Sequence, residues 1–121
     1  MRVFFPGKPH FVRKVGPRPQ RVPGTMNKAE ARYAQHLELL KRDGLIQDFL
    51  FEAIKFRLAE KTFYTVDFIV ICKDVVECHE FKGFMRDDAA VKFKVAAGKF
   101  PWFSWIMVKE TKNGFVKVME I

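Results

Sequence analysis

The stretch TVDFIVICKDVVECHEFKG, residues 65 to 83, constrains this chain more than any other. It reads as two strands joined by a tight turn. With Lys73-Asp74 as a two-residue loop, antiparallel partners satisfy i + j = 147, and Asp67 then faces Glu80 directly. Side chains alternate faces along a strand, so Glu80 and Lys82 share a face and Asp67 joins them there. A slip of one residue would put the two acids on opposite faces. The neighbours Phe68, Ile69, Val70 and Phe81 imply strands covered on both sides. Carboxylates in such a setting must find a cation or water. Two readings follow: a divalent-metal site, or a solvated face carrying a cross-strand Asp/Lys pair.

The chain has 121 residues, of which 49% are hydrophobic and fourteen are phenylalanine. That suffices for one compact domain with a real core. No apolar run is long enough to span a bilayer, and MRVFFPGKPH lacks the pattern of a signal peptide. A cytoplasmic protein that does not engage a membrane is the expectation. Cys72 and Cys78 are out of register and point to different faces, which fits free thiols better than a disulfide. The histidines His10, His36 and His79 are scattered and outline no zinc site.

Charge is unevenly placed. Residues 1–26 hold Arg2, Lys8, Arg13, Lys14, Arg18 and Arg21 with no acid, leaving 16 bases against 14 acids in residues 27–121. The same segment holds five of the six prolines. It reads as a basic Pro/Gly-rich arm outside the domain of residues 27–121. Two readings of it stand: an arm lying along a phosphate backbone through Arg13, Lys14, Arg18 and Arg21, or a leader with Met26 opening the folded part.

Asn27 to Arg42 has the signature of a helix. Asn27 is the N-cap, Glu30 completes a capping box, Asp43-Gly44 ends it, and Tyr33, Ala34, Leu37 and Leu40 form its apolar stripe. Glu30 is either a capping residue alone or an acid turned toward the hairpin. Phe49 to Ala59 reads as one strand, with Ile54, Phe56 and Leu58 inward and Lys55 and Arg57 outward. Glu52 near its start is a solvated residue first and a spare ligand second. Asp87 to Lys99 reads as a second helix, capped by Asp87 or Asp88, anchored by Val91 and Val95, and made basic by Lys92, Lys94 and Lys99. Trp102–Val108 and Phe115–Met119 follow as strands around a Lys112-Asn113-Gly114 turn. The order helix, three strands, helix, two strands predicts an α/β sandwich on a mixed sheet flanked by helices.

Asp67, twelve residues, then Glu80-Phe81-Lys82 resembles the motif of the PD-(D/E)XK nuclease superfamily. The segments NKAEARYAQHLELLKRDGLI, TVDFIVI, ECHEFKG and VKFKVAAGKF look more particularly like a family of small phage and prophage nuclease-like proteins of unknown function. The resemblance covers about residues 26 to 121. It implies a restriction-endonuclease-like α-β-β-β-α-β core plus a C-terminal extra strand. Val66 departs from the pattern, which has proline before the aspartate.

Carried over residue by residue, the resemblance makes Asp67 and Glu80 the metal-binding acids, with the Phe81 carbonyl as a third ligand. Lys82 becomes the lysine that orients the attacking water, and Glu30 a helix-borne acid assisting a second metal or its water. Lys92, or its neighbour Lys94, becomes a phosphate contact. Hard oxygen ligands suit Mg²⁺ or Mn²⁺, and the sequence pairs no serine or cysteine nucleophile with a histidine. The expectation is a metal-dependent DNA endonuclease, in the host cytoplasm if phage-encoded. Structure-specific cutting of branched or Holliday-junction DNA by a homodimer is its preferred subtype by analogy. The alternatives are a non-catalytic nucleic-acid-binding protein on the same scaffold, and a structural or partner-binding phage component.

Overall fold

A computed structural model describes residues 24–82 and 87–121, with the backbone alone at Asp87 and Asp88. Residues 1–23 of the basic arm and the capping of the second helix lie outside what it describes.

The first helix, α1 (Lys28–Arg42), forms as its local rules require. The Asn27 side chain accepts from the Glu30 N–H at 2.8 Å, and the Glu30 carboxylate accepts from the Asn27 N–H at 3.0 Å. At the other end Gly44 takes φ +80°, and N–H bonds from Gly44 to Lys41 and from Leu45 to Leu40 satisfy the last carbonyls. Tyr33, Ala34 and Leu37 are buried, and Leu40 is partly so.

The expected single strand Phe49–Ala59 is two strands, β1 (Asp48–Phe51) and β2 (Lys55–Ala59). Glu52 between them sits at φ +49°, a conformation costly for a side-chain-bearing residue. It is held there by its N–H on the Asp67 carbonyl and by its carboxylate on the Gly24 N–H. The chain leaves the main sheet at this point. β2 instead pairs with β3 (Thr62–Thr65), a strand the sequence reading did not separate from the hairpin behind it.

β4 (Phe68–Ile71) and β5 (Val76–Phe81) follow, then α2 (Asp87–Lys99), β6 (Ser104–Thr111) and β7 (Gly114–Glu120). The main sheet has the order β1-β4-β5-β6-β7. Only β5 and β6 run parallel, so the sheet is mixed, and the intervening α2 supplies the crossover that a parallel pair needs. Along the main sheet the elements succeed one another as helix, three strands, helix, two strands. The β2–β3 hairpin is an insertion in that order.

Each face of the sheet has its own core. α1 covers one face through Tyr33, Ala34 and Leu37 against Phe49, Phe68, Val70 and Ile106. α2 and the β2–β3 hairpin cover the other, where Trp105 is enclosed by Phe56, Tyr64, Phe93 and Phe103. The Trp105 indole N–H donates to the Phe100 carbonyl at 2.8 Å, so burial leaves no polar group unpaired there.

The phase of α2 differs from the expected one. Val91 and Val95 are exposed, 58% and 42%, while Phe93, Ala96 and Ala97 are buried. These three share a face at i, i+3 and i+4. Phe93 packs edge-on against Trp105, and the two alanines let the helix approach the sheet closely there. Trp102, expected to open the next strand, lies in the preceding turn with most of its surface exposed. Among the described residues no helix is long and apolar enough to cross a membrane.

The phase of α2 is directly testable. Phe93→Ala should lower the unfolding free energy by about 3–5 kcal/mol, and Val91→Ala should change it by no more than about 0.5 kcal/mol. Urea titration of both variants measures the difference; equal losses would contradict the packing described.

Candidate functional site

The β4–β5 hairpin has the register inferred from its sequence. Phe68 pairs with His79, Ile69 with Cys78, Val70 with Glu77 and Ile71 with Val76, each pair summing to 147. The Cys72 N–H donates to the Val75 carbonyl at 2.9 Å, closing the loop on Lys73-Asp74. Neither loop residue takes a positive φ, so the turn does without the glycine or asparagine that primed turns require.

The ladder ends at Phe68 and His79; the same count continued by one pair would set Asp67 across from Glu80. Glu80 lies on the α2-side face, since its parallel partner Met107 belongs to that core and its carboxylate meets Tyr64, and Asp67 is near enough to Tyr64 to act on it electrostatically. The Asp67 carboxylate accepts the Phe81 N–H at 2.8 Å, which ties it to β5. Glu80 accepts from the hydroxyl of Tyr64, delivered by β3. Asp67 and Tyr64 are buried and Glu80 is half-buried. Tyr64 titrates well above the usual phenol range, first because it is buried, then because the Glu80 carboxylate, its hydrogen bond to Glu80, and Asp67 all disfavour a second negative charge. It therefore stays a neutral donor. One oxygen on each acid is thus oriented by a group without charge.

Lys82 follows Glu80 at the same parity, its N–H donating to the Val108 carbonyl at 2.6 Å and prolonging the β5–β6 ladder. Phe81 points its ring to the α1 face. Val66, where the resemblance leads one to look for proline, is fully enclosed in the α2-side core. Lys92 reaches β3, donating to the Phe63 carbonyl at 3.3 Å, and Lys94 is exposed.

Glu30 is buried on α1, the helix of the opposite face, with one carboxylate oxygen in the capping box. Glu52 is held at the β1–β2 break. Among the described residues no group of three or more His, Cys, Asp or Glu side chains is placed to hold a metal, so neither acid joins Asp67 and Glu80 in one cluster. Arg13, Lys14, Arg18 and Arg21 lie outside the described residues.

The α1 face carries a polar network that the scattered histidines did not announce. The Tyr33 hydroxyl is 2.6 Å from His79 Nδ1, and His79 Nε2 is 2.8 Å from Glu77. A carboxylate only accepts, so Nε2 carries a proton and a neutral ring then accepts the Tyr33 proton on Nδ1. The hydrogen bond from His79 holds Glu77 below the usual carboxylate range. Burial, and then His79, depresses His36, and burial raises Tyr33. These groups line a cleft of about 220 Å³ between α1 and the sheet. Cys72 and Cys78 are free, and burial pushes the Cys78 thiol up to about 12, too high for a nucleophile near neutral pH.

No model of a known protein family matches the chain, and no curated protein matches it.

Two outcomes follow from this geometry. Because the folded-state pKa of Glu77 lies below its ordinary value of 4.5, its contribution to stability is present above that value and lost as pH falls through the folded pKa. Unfolding free energy should therefore drop less steeply below about pH 4.5 in Glu77→Gln than in the wild type; identical acid limbs would contradict the Glu77–His79 bond. Tyr64→Phe keeps the ring and removes the donor to Glu80, and should cost about 1–3 kcal/mol in denaturant titration. A loss near zero would mean that water replaces the hydroxyl freely.

Proposed function

We propose that this chain is a Mg²⁺- or Mn²⁺-dependent DNA endonuclease of the PD-(D/E)XK type, with the main sheet and its two helices as a restriction-endonuclease-like core. The observation that supports this reading is the 147 register of Phe68–Ile71 against Val76–His79, which continued by one pair would set Asp67 across from Glu80, together with the Phe81 N–H bond to the Asp67 carboxylate. Element order adds support: two antiparallel hairpin strands bear the motif, and a helix with Lys92 and Lys94 follows it.

The donor set suits a small hard cation. Mg²⁺ characteristically takes one or two carboxylates and keeps several waters for itself and the substrate phosphate, which is what a two-acid site offers. In this reading Asp67 and Glu80 hold the ion together with the Phe81 carbonyl, and Glu30 serves the helix cap. When bound, the ion would lower the pKa of a water and offset phosphate charge. Lys82 places a cation where negative charge grows during in-line attack. The Phe81 N–H and the Tyr64 hydroxyl fix the two carboxylates beforehand, so little reorganisation accompanies the reaction. Lys92 and Lys94 contact the phosphate backbone.

A second reading is favoured by one observation. With no third acid in the cluster among the described residues, the scaffold would also serve a protein that binds nucleic acid without cutting it. Cleavage of linear, circular and branched DNA with Mg²⁺ and Mn²⁺ separates the two. The nuclease reading predicts metal-dependent cutting that falls at least about a hundredfold in Asp67→Asn, Glu80→Gln and Lys82→Ala proteins of unchanged fold. Undiminished cutting in all three, or none in the wild type with any substrate, would refute it.

A further inference from the structure

We propose that the outer face of the β2–β3 hairpin is a binding surface for single-stranded DNA. The proposal rests on the nucleic-acid reading of the Asp67 and Glu80 site and names its substrate class; it does not depend on catalysis.

The hairpin has two faces with separate tasks. Phe56, Leu58 and Tyr64 turn inward, and through Tyr64 the inner face reaches Glu80. Lys55, Arg57, Phe63 and Thr65 turn outward and are exposed. The register sets Arg57 directly across from Phe63 and Lys55 across from Thr65. The Lys55 ammonium lies 4.7 Å from the centre of the Phe63 ring, which is itself 40% exposed. One aromatic ring is thus flanked by two cations on an open sheet face, with Lys61 at the adjoining turn. Glu60 is the acid of this hairpin, and it too lies at the turn, away from Arg57 and Lys55. Among the described residues Lys55, Arg57 and Lys61 form no ion pair, so this positive charge is not neutralised within the fold. The bond from Lys92 to the Phe63 carbonyl joins the hairpin to α2 and adds Lys92 beside this basic surface.

Charge and ring together select the occupant. A duplex offers phosphates and keeps its base faces stacked inside, so an aromatic set among the cations gains nothing from it. A single strand presents both phosphates and base faces, and stacking on an exposed ring works with any base. The strand's phosphates would pair with Lys55 and Arg57 while one base covers Phe63. Phe63 and Tyr64 are consecutive, so the outer ring and the hydroxyl that meets Glu80 lie on opposite faces of the same strand.

Fluorescence anisotropy of labelled oligothymidylate, in EDTA so that no cleavage intervenes, tests this with the full chain. Phe63→Leu keeps an apolar side chain and should weaken binding about tenfold. Lys55→Ala and Arg57→Ala should each reduce the slope of log affinity against log salt by about 0.7. An unlabelled duplex of the same length should compete at least about tenfold less well than the single strand. Thermal unfolding of each variant confirms that the fold is intact. Wild-type affinity in Phe63→Leu, equal competition by duplex, or no binding of the wild type to the single strand would each overturn the proposal. If binding fails in these ways while cutting still depends on Asp67 and Glu80, the hairpin surface is refuted and the nuclease reading stands. If binding behaves as described and no substrate is cut, the surface stands and the nuclease reading falls.

Discussion

The hydrogen bond from the Phe81 N–H to the Asp67 carboxylate marks the constraint on which the rest depends, the register of β4 against β5. A strand covered on both faces cannot slip by one residue without exchanging its two sets of side chains. Here that exchange would drive Phe68 and Val70 into the α2-side core, and Asp67 toward α1. The register is therefore enforced by two cores at once. The acid pair inherits its geometry from packing that has nothing to do with its chemistry.

The two faces of the sheet use polar groups differently. Under α1, Tyr33, His79 and Glu77 form a closed chain in which each donor has an acceptor, a pattern that fixes the helix against the sheet. Under the hairpin, the Tyr64 hydroxyl and the Phe81 N–H, both neutral donors, orient two acids. The first arrangement satisfies its members. The second holds two acids in place on the α2-side face.

What was legible in the sequence is what local rules decide. Asn27 and Glu30 spell a capping box, Gly44 a helix stop, and alternation about Lys73-Asp74 a hairpin. The separate faces of Cys72 and Cys78 follow from the same arithmetic. The break at Glu52 was not legible, because the period-two alternation passes through it unchanged: Leu50, Ile54, Phe56 and Leu58 all face the α2-side core, as one continuous strand would have them. β3 was hidden because Thr62–Thr65 runs into the hairpin with only Val66 and Asp67 between. Valines at 91 and 95 show helical spacing as well as Phe93 and the alanines do, and only the packing around Trp105 decides between them. Tyr64–Glu80 and Tyr33–His79 join residues 16 and 46 positions apart, contacts that tertiary packing alone creates.

The central claim is that Asp67 and Glu80 act as one unit because the register sets them together. Calorimetric titration with Mn²⁺ of the wild type, Asp67→Asn, Glu80→Gln and the double variant tests that most directly. The account predicts a single wild-type site, a large loss in either single variant, and a double variant no worse than the worse single one. Losses that simply add, or a wild type that takes up no Mn²⁺, would contradict it.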